Sequence, residues 1–238
     1  MPSEIQEYQN KLRTFNLYNG SPDGYGYSEE MVKAISQFQK AYGLNETGTL
    51  NSLTINKLNR LYSDYINIYN SEAMDTVASE LLLDSEKRKN FAITWSFLKN
   101  EMDLNTHQIA GVMANIKAES GFSTDNAQYH SGYHNPEYVY NTGDGVGYGL
   151  LQWTAEQRKT GLKNMSDYLG LEIGNINVQL AYFKEEMQEV YSEAWNQIKH
   201  TYNYSTVSDI FLDEIESPLV SNYEERREFA SIIYEAFR

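Results

Sequence analysis

The chain of 238 residues has no cysteine, which excludes disulfides, thiolate metal sites and every cysteine nucleophile. Positive charge is scarce: 19 Lys and Arg stand against 33 Asp and Glu, for a net charge of −14. Nucleic-acid binding rests on clustered cations, so the balance argues against a phosphate-backbone partner and no nucleic acid is expected. Any polymer this chain grips is expected to be held by hydrogen bonds and aromatic stacking, not by bulk attraction. No apolar run approaches the roughly 18 residues of a membrane span, so no membrane insertion is expected. Histidine is limited to His107, His130, His134 and His200. His130 and His134 are four apart, but Gly132 between them and Pro136 beyond them speak against a helix, and there is no His-Glu-x-x-His motif. No metal and no cofactor are expected.

What is present describes a globular protein, with 41% hydrophobic and 13% aromatic residues. The length allows one or two compact domains, and the charge distribution favours two. Residues 1–62 are neutral overall, residues 63–85 carry five acidic and no basic side chains, and residues 86–238 are acidic. In the first segment Ile5, Tyr8, Leu12 and Phe15 recur at helical spacing, followed by the turn-rich stretch 19–26. A second helix is predicted from Met31, Val32, Ile35, Phe38 and Tyr42, capped by Ser28 and closed by Gly43. A third runs from about Asn51 to Tyr62 on Leu53, Ile55, Leu58 and Leu61. The prediction is a small three-helix bundle over 1–62, an acidic linker with some helix over 63–85, and a second domain over 86–238.

The second domain contains the position with the clearest chemistry. Ile109, Val112, Met113 and Ile116 form an amphipathic stripe, with Asn105 or Thr106 available as N-cap. Glu119 continues that stripe, seven residues beyond Val112, so its carboxyl is directed toward the apolar side. Gly121 then ends the helix. A carboxyl on a last turn meets the negative end of the helix dipole, and burial adds to that effect, so the expectation is a protonated group able to serve as a general acid. Farther on, Gly147-Tyr148-Gly149-Leu150-Leu151-Gln152-Trp153-Thr154 has no phosphate-loop or dinucleotide pattern, and its glycines suit close approach of a ligand to the backbone. Tyr148, Trp153, Tyr129 and His130 offer rings for stacking on sugar faces, and Gln152 offers an amide for hydroxyl or N-acetyl groups.

Two resemblances follow from these residues. Leu12, Leu17-Tyr18-Asn19-Gly20, Asp23-Gly24-Tyr25-Gly26, Ala34-Ile35-Ser36-Gln37-Phe38-Gln39, Gly43-Leu44, Gly48 and Thr54 resemble the three-helix peptidoglycan-binding domain of cell-wall hydrolases. Glu119-Ser120-Gly121-Phe122, Ala127, the Gly147–Thr154 motif and Arg158 resemble the phage tail-lysozyme family, related to goose-type lysozymes and lytic transglycosylases. Phe211, Glu216, Pro218, Arg227, Ala230 and Tyr234 resemble that family's closing segment. The resemblance implies a mainly α, lysozyme-like α+β fold. It also implies cleavage of the β-1,4 bond between N-acetylmuramic acid and N-acetylglucosamine in bacterial peptidoglycan, with Glu119 as the acid.

The second carboxylate is less defined. A hydrolase needs a base or nucleophile across the sugar. Asp144 stands near the position of the second acid in goose-type enzymes, and Asp125 is the alternative, although both also suit turns. If neither serves, a lytic transglycosylase that uses the muramic 6-hydroxyl needs only one carboxyl. A wall-binding protein without catalysis and a zinc amidase are the rival functions. The first eight residues lack the basic and apolar regions of a secretory signal. The expectation is therefore cytoplasmic synthesis in a bacterial host with release through a holin-type pore, or incorporation into a virion.

Overall fold

A computed structural model describes residues 3–127, 138–216 and 222–238. It is almost entirely helical. In chain order the helices are α1 (Glu4–Thr14), α2 (Glu29–Ala41), α3 (Ser52–Tyr69), α4 (Glu72–Glu80), α5 (Ser85–Glu101), α6 (Thr106–Ser120), α7 (Glu156–Leu169), α8 (Ile176–Glu189), α9 (Ser192–Lys199), α10 (Tyr204–Phe211) and α11 (Tyr223–Phe237). A π-helical turn, Leu212–Glu216, continues directly from α10. Among the described residues the β structure is confined to isolated bridges pairing Tyr148 with Ala127 and with Trp153.

The first three helices form where the apolar spacing predicts. Ser3, Ser28 and Asn51 cap them by accepting from backbone N–H groups of the first turn. Leu12, Phe15, Met31, Ile35, Phe38, Leu58 and Leu61 are fully buried between them, whereas Leu53 points into solvent. Two glutamines do the work of turn formation. Buried Gln9 donates to Asp23 Oδ1 (3.0 Å) and accepts from the Gly24 N–H (2.9 Å), fixing the Asp-Gly turn. Gln39, with no exposed surface, accepts from the N–H groups of Thr47 and Gly48 and donates to Thr47, Thr49 and Thr54. One amide thus satisfies several groups of the loop between α2 and α3, among them the buried Gly48 N–H.

Residues 63–85, expected as a linker, are built into the molecule. The helix expected to end near Tyr62 continues to Tyr69, because Tyr65, Ile66 and Tyr69 extend its inward face. Helix α4 follows after a two-residue break, with Met74 and Val77 completely buried. Helix α5 lies against α3, where Ser96 Oγ donates to the Leu61 carbonyl (2.9 Å) and Lys99 pairs with Asp64 (2.6 Å).

The same continuity joins the N-terminal bundle to the rest. Tyr42 donates to Asn177 Oδ1 (3.1 Å), Asn177 donates to the Phe15 carbonyl (2.5 Å), and Gln37 donates to the Gly170 carbonyl (2.7 Å). Glu101 receives Lys57 of α3 at 2.7 Å and Lys184 of α8 at 3.4 Å. One hydrophobic core runs through both halves. Its centre is α6, buried from Gln108 to Ile116 and packed against α10 and α11. Gly111 permits this: a Cβ there would come within 2.6 Å of the Tyr204 carbonyl and of Val207.

Replacing Gln39 by Ala removes the acceptor of the buried Gly48 N–H and of the part-buried Thr47 N–H in the α2–α3 loop. The variant is expected to lose about 3 kcal/mol of stability by urea titration. A loss below about 1 kcal/mol would show that water replaces the amide without penalty.

Candidate active site

Helix α6 begins in a full capping box: Asn105 Oδ1 accepts from the His107 and Gln108 N–H groups while Gln108 Oε1 accepts from the Asn105 N–H. It ends at Gly121 in the left-handed conformation, φ 60°. These signals place Glu119 on the last turn. Its side chain is 19% exposed.

The surroundings of Glu119 differ from the apolar setting expected. Glu119 Oε1 accepts from Arg226 Nη2 of α11 at 2.5 Å. The guanidinium is itself held from below, since Arg226 Nη1 donates to Asn115 Oδ1 (2.9 Å). Asn115, one turn before Glu119 and completely buried, donates to the Gly111 carbonyl, the Ser208 carbonyl and Ser208 Oγ. Helices α6, α10 and α11 therefore converge on one arginine, and that arginine orients the carboxylate. Among the described residues nothing bonds Glu119 Oε2.

The glycine-rich motif is tied to the same helix end. Ser120 Oγ donates to the Leu150 carbonyl (2.9 Å), and the Gly149 N–H donates to the Asn126 carbonyl (2.9 Å). Gln179 of α8 closes the ring: Oε1 accepts from the Leu150 N–H (2.9 Å) and Nε2 donates to the Thr124 carbonyl (2.6 Å). Gly149 has φ 73°, and a Cβ there would meet the Gln179 amide at 2.6 Å. Glycine is required twice at that position, by conformation and by contact.

Side chains of the motif are turned differently from the expectation. Trp153 is fully buried and its indole donates to Glu186 Oε2 (2.8 Å), so it presents no face to a sugar. Gln152, at φ 46°, spends its amide nitrogen on the carbonyls of Asn126 and Gly149. Tyr148 is largely buried, with its ring 5.9 Å from that of Tyr138 and 5.0 Å from that of Tyr140. Tyr129 and His130 lie outside the described residues, as do His134 and Pro218.

Asp144 belongs to this tyrosine cluster. Its Oδ1 accepts from Lys159 Nζ (2.5 Å) and the Val146 N–H (2.9 Å), and its Oδ2 accepts from the Tyr138 hydroxyl (2.8 Å). Burial pushes its carboxyl up, but the bonds from Lys159, Val146 and Tyr138 outweigh that and hold it below the usual carboxylate range. Lys159 has no exposed surface, and its three donors reach Asp144, Tyr138 and the Val146 carbonyl. Asp144 thus locks the loop, and both of its oxygens are engaged. Asp125, the alternative, accepts from Ser123 Oγ (3.1 Å) in the turn after α6.

Two groups near Glu119 were given no site role by the sequence reasoning. Arg226 is one. Among the family-like positions of the closing segment, Arg227 instead forms an exposed pair with Asp209 of α10 (2.6 Å). The available signal was periodicity, because Arg226 precedes the buried Ala230 and Ile233 by four and seven residues. Glu216 is the other. It closes the π-helical turn, a local irregularity frequent at functional sites. Its Oε2 lies 4.0 Å from Arg158, and its buried Oε1 has no hydrogen-bond partner among the described residues. Burial pushes its carboxyl up to about 8; Arg158 opposes this, the Glu119 charge adds to it, and Arg226 opposes it. Arg158 is occupied chiefly by Glu186, to which it donates through Nε (2.7 Å) and Nη2 (3.1 Å).

No group of three or more metal-ligating side chains occurs among the described residues. His107 packs on the Tyr234 ring at 4.4 Å, and His200 bonds the Asn196 carbonyl. No helix among the described residues is long and apolar enough to cross a membrane.

Comparison with protein families matches residues 89–237 to the phage tail lysozyme model and residues 2–58 to the peptidoglycan binding domain. No curated protein and no solved structure matches the chain.

Glu216 gives a stability signature. Burial holds its carboxyl at about 8, above the ordinary value of 4.5, so between those limits the folded protein keeps a proton that the unfolded chain releases. This contribution is fully present below about pH 4.5 and is lost as pH rises through about 8. Glu216→Gln, which keeps the neutral shape, is expected to flatten the fall in melting temperature between those limits. An unchanged pH profile would contradict the assignment.

Proposed function

Because the chain belongs to the phage tail lysozyme family, we propose that it degrades bacterial peptidoglycan by cleaving the β-1,4 bond between N-acetylmuramic acid and N-acetylglucosamine, with Glu119 as the proton donor to the departing oxygen. The observation that carries this reading is the free Oε2 of a carboxyl fixed by Arg226 at the helix end to which the Gly147–Thr154 motif is tied. A positioned carboxyl of this kind supplies general acid catalysis.

The rest of the molecule fits a polymer substrate. The tyrosine cluster of Tyr138, Tyr140 and Tyr148 stands beside the motif, and the N-terminal bundle matches a peptidoglycan-binding module. In this reading Tyr148 contributes its ring edge and Gln152 its amide oxygen to the sugar, while Trp153 supports the motif from inside. Tyr129 and His130 are proposed as further sugar contacts. We place the action at the cell wall, after cytoplasmic synthesis and release through a holin-type pore or as part of a virion.

A specific observation favours keeping a second reaction course in view. Hydrolysis calls for another carboxylate to activate water or attack the sugar, and Asp144 serves only if its bonds to Lys159 and Tyr138 give way. With those bonds intact, attack by the muramic 6-hydroxyl needs Glu119 alone.

Glu119→Gln is expected to lower the rate of wall-suspension clearing at least about 100-fold. Clearing at the parent rate would remove Glu119 from catalysis. Mass spectrometry of the digest separates the courses: new reducing ends at muramic acid mean hydrolysis, 1,6-anhydro ends mean internal attack, and freed peptides would overturn both.

A further inference from the structure

A cavity of about 530 Å³ opens where α1, α3 and α5 meet, and Glu119 is not among the residues that line it. Its charge is opposite to that of the molecule. Lys11, Arg13 and Lys89 line it with Tyr62 and Tyr65, and Glu7 is its single acid, in a chain whose net charge is −14.

The three cations are not equivalent. Lys11 is neutralised: its ammonium binds Glu7, donates to Asn59 Oδ1 (2.7 Å) and lies 5.6 Å from the Tyr62 ring centre. Arg13 is exposed, and its guanidinium has no partner among the described residues. Lys89 is half-buried and donates only to a neutral group, Asn16 Oδ1 (2.6 Å). Burial pushes its ammonium down; Glu86 opposes this, and the Arg13 charge adds to it. Two like charges face one cavity whose single lining carboxylate, Glu7, is bound by Lys11, and one of the two is partly stripped of water. That arrangement is unfavourable for the protein alone and is relieved by a bound oxyanion.

The position says which oxyanion. Arg13 belongs to the segment matching a peptidoglycan-binding module, and Lys89 is the first residue of the segment matching the catalytic family. The polymer handled on both sides bears its negative charge as carboxylates of the peptides attached to muramic acid. We infer that this cavity seats a stem-peptide carboxylate of peptidoglycan between Arg13 and Lys89, with Tyr62 and Tyr65 as its walls. The inference rests on the peptidoglycan reading above. Tyr62, Tyr65 and Lys89 lie outside residues 2–58, so the site is a product of the seam and not of the module alone. A strand held there by its peptide is retained beside the enzyme while its glycan is presented for cleavage.

The test uses the full chain and a synthetic stem peptide, which contains no glycosidic bond, with the same peptide amidated at its carboxyl groups as control. NMR titration is expected to show shifts of the Tyr62 and Tyr65 ring signals at millimolar peptide. Amidation, Arg13→Gln and Lys89→Gln are each expected to weaken binding about tenfold, the scale of one charge-assisted hydrogen bond. Arg13→Gln alters an exposed side chain without partners, so its loss of binding cannot reflect misfolding. Equal binding of the amidated peptide, parent-like binding by Arg13→Gln, or preference for a wall phosphodiester polymer over the peptide would overturn the inference. Wall clearing by the parent chain, measured in parallel, separates the two levels. Clearing without peptide binding rejects the cavity alone, and failure of clearing rejects the function on which it rests.

Discussion

The site depends on the guanidinium of Arg226. A carboxylate at the end of a helix has several rotamers and no reason to hold one, and its electrostatic position opposite the C-terminal dipole is unfavourable. Arg226 removes that freedom by binding Glu119 on one side and Asn115 on the other. Asn115 in turn is fixed by Gly111 and Ser208. The bare glycine at 111 brings α10 close enough for this chain of bonds to close. Orientation of one side chain therefore requires three helices from two distant parts of the sequence.

Behind this lies a second buried charge system centred on Glu186, which is 2% exposed. Its carboxylate accepts from Arg158 twice, from the Trp153 indole and from the Tyr182 hydroxyl. Desolvating an ion pair is expensive, and such a pair persists only where its remaining hydrogen-bonding capacity is filled. Here four donors fill it. Arg158 and Lys159, adjacent at the start of α7, carry the two halves of the arrangement. Arg158 anchors Glu186 and approaches Glu216, while Lys159 anchors Asp144 and the tyrosine loop. The motif residue Trp153 is thus drawn inward by the charge system.

Much of this molecule was legible in the linear pattern. Apolar spacing and caps identified α1, α2 and the course of α6, because those signals are local and each helix pays for its own termini. Gly121 announced the end of α6, and the Gly147–Thr154 segment announced a backbone-shaped loop. The acidic stretch 63–85 reads as a linker with some helix, and it contains the end of α3 and all of α4: Tyr65, Met74 and Val77 turn inward, the acidic residues at 64, 72, 75 and 80 belong to those two helices, and Asp84 caps α5. Trp153 was read as a sugar platform because an aromatic ring suits either a core or a ligand, and only its neighbours decide which.

By itself the sequence determined the helical class, the two matched segments and the placement of Glu119 on a terminal turn, since each follows from residue spacing and short-range capping. Tertiary structure alone decided that Arg226 and not Arg227 faces Glu119, that Glu216 is buried with an unpaired oxygen, that Asp144 is locked by Lys159, and that Arg13 and Lys89 share a cavity. Those facts join residues far apart in the chain, and the energy of a charge is set by its burial and partners, which exist only after the helices have packed.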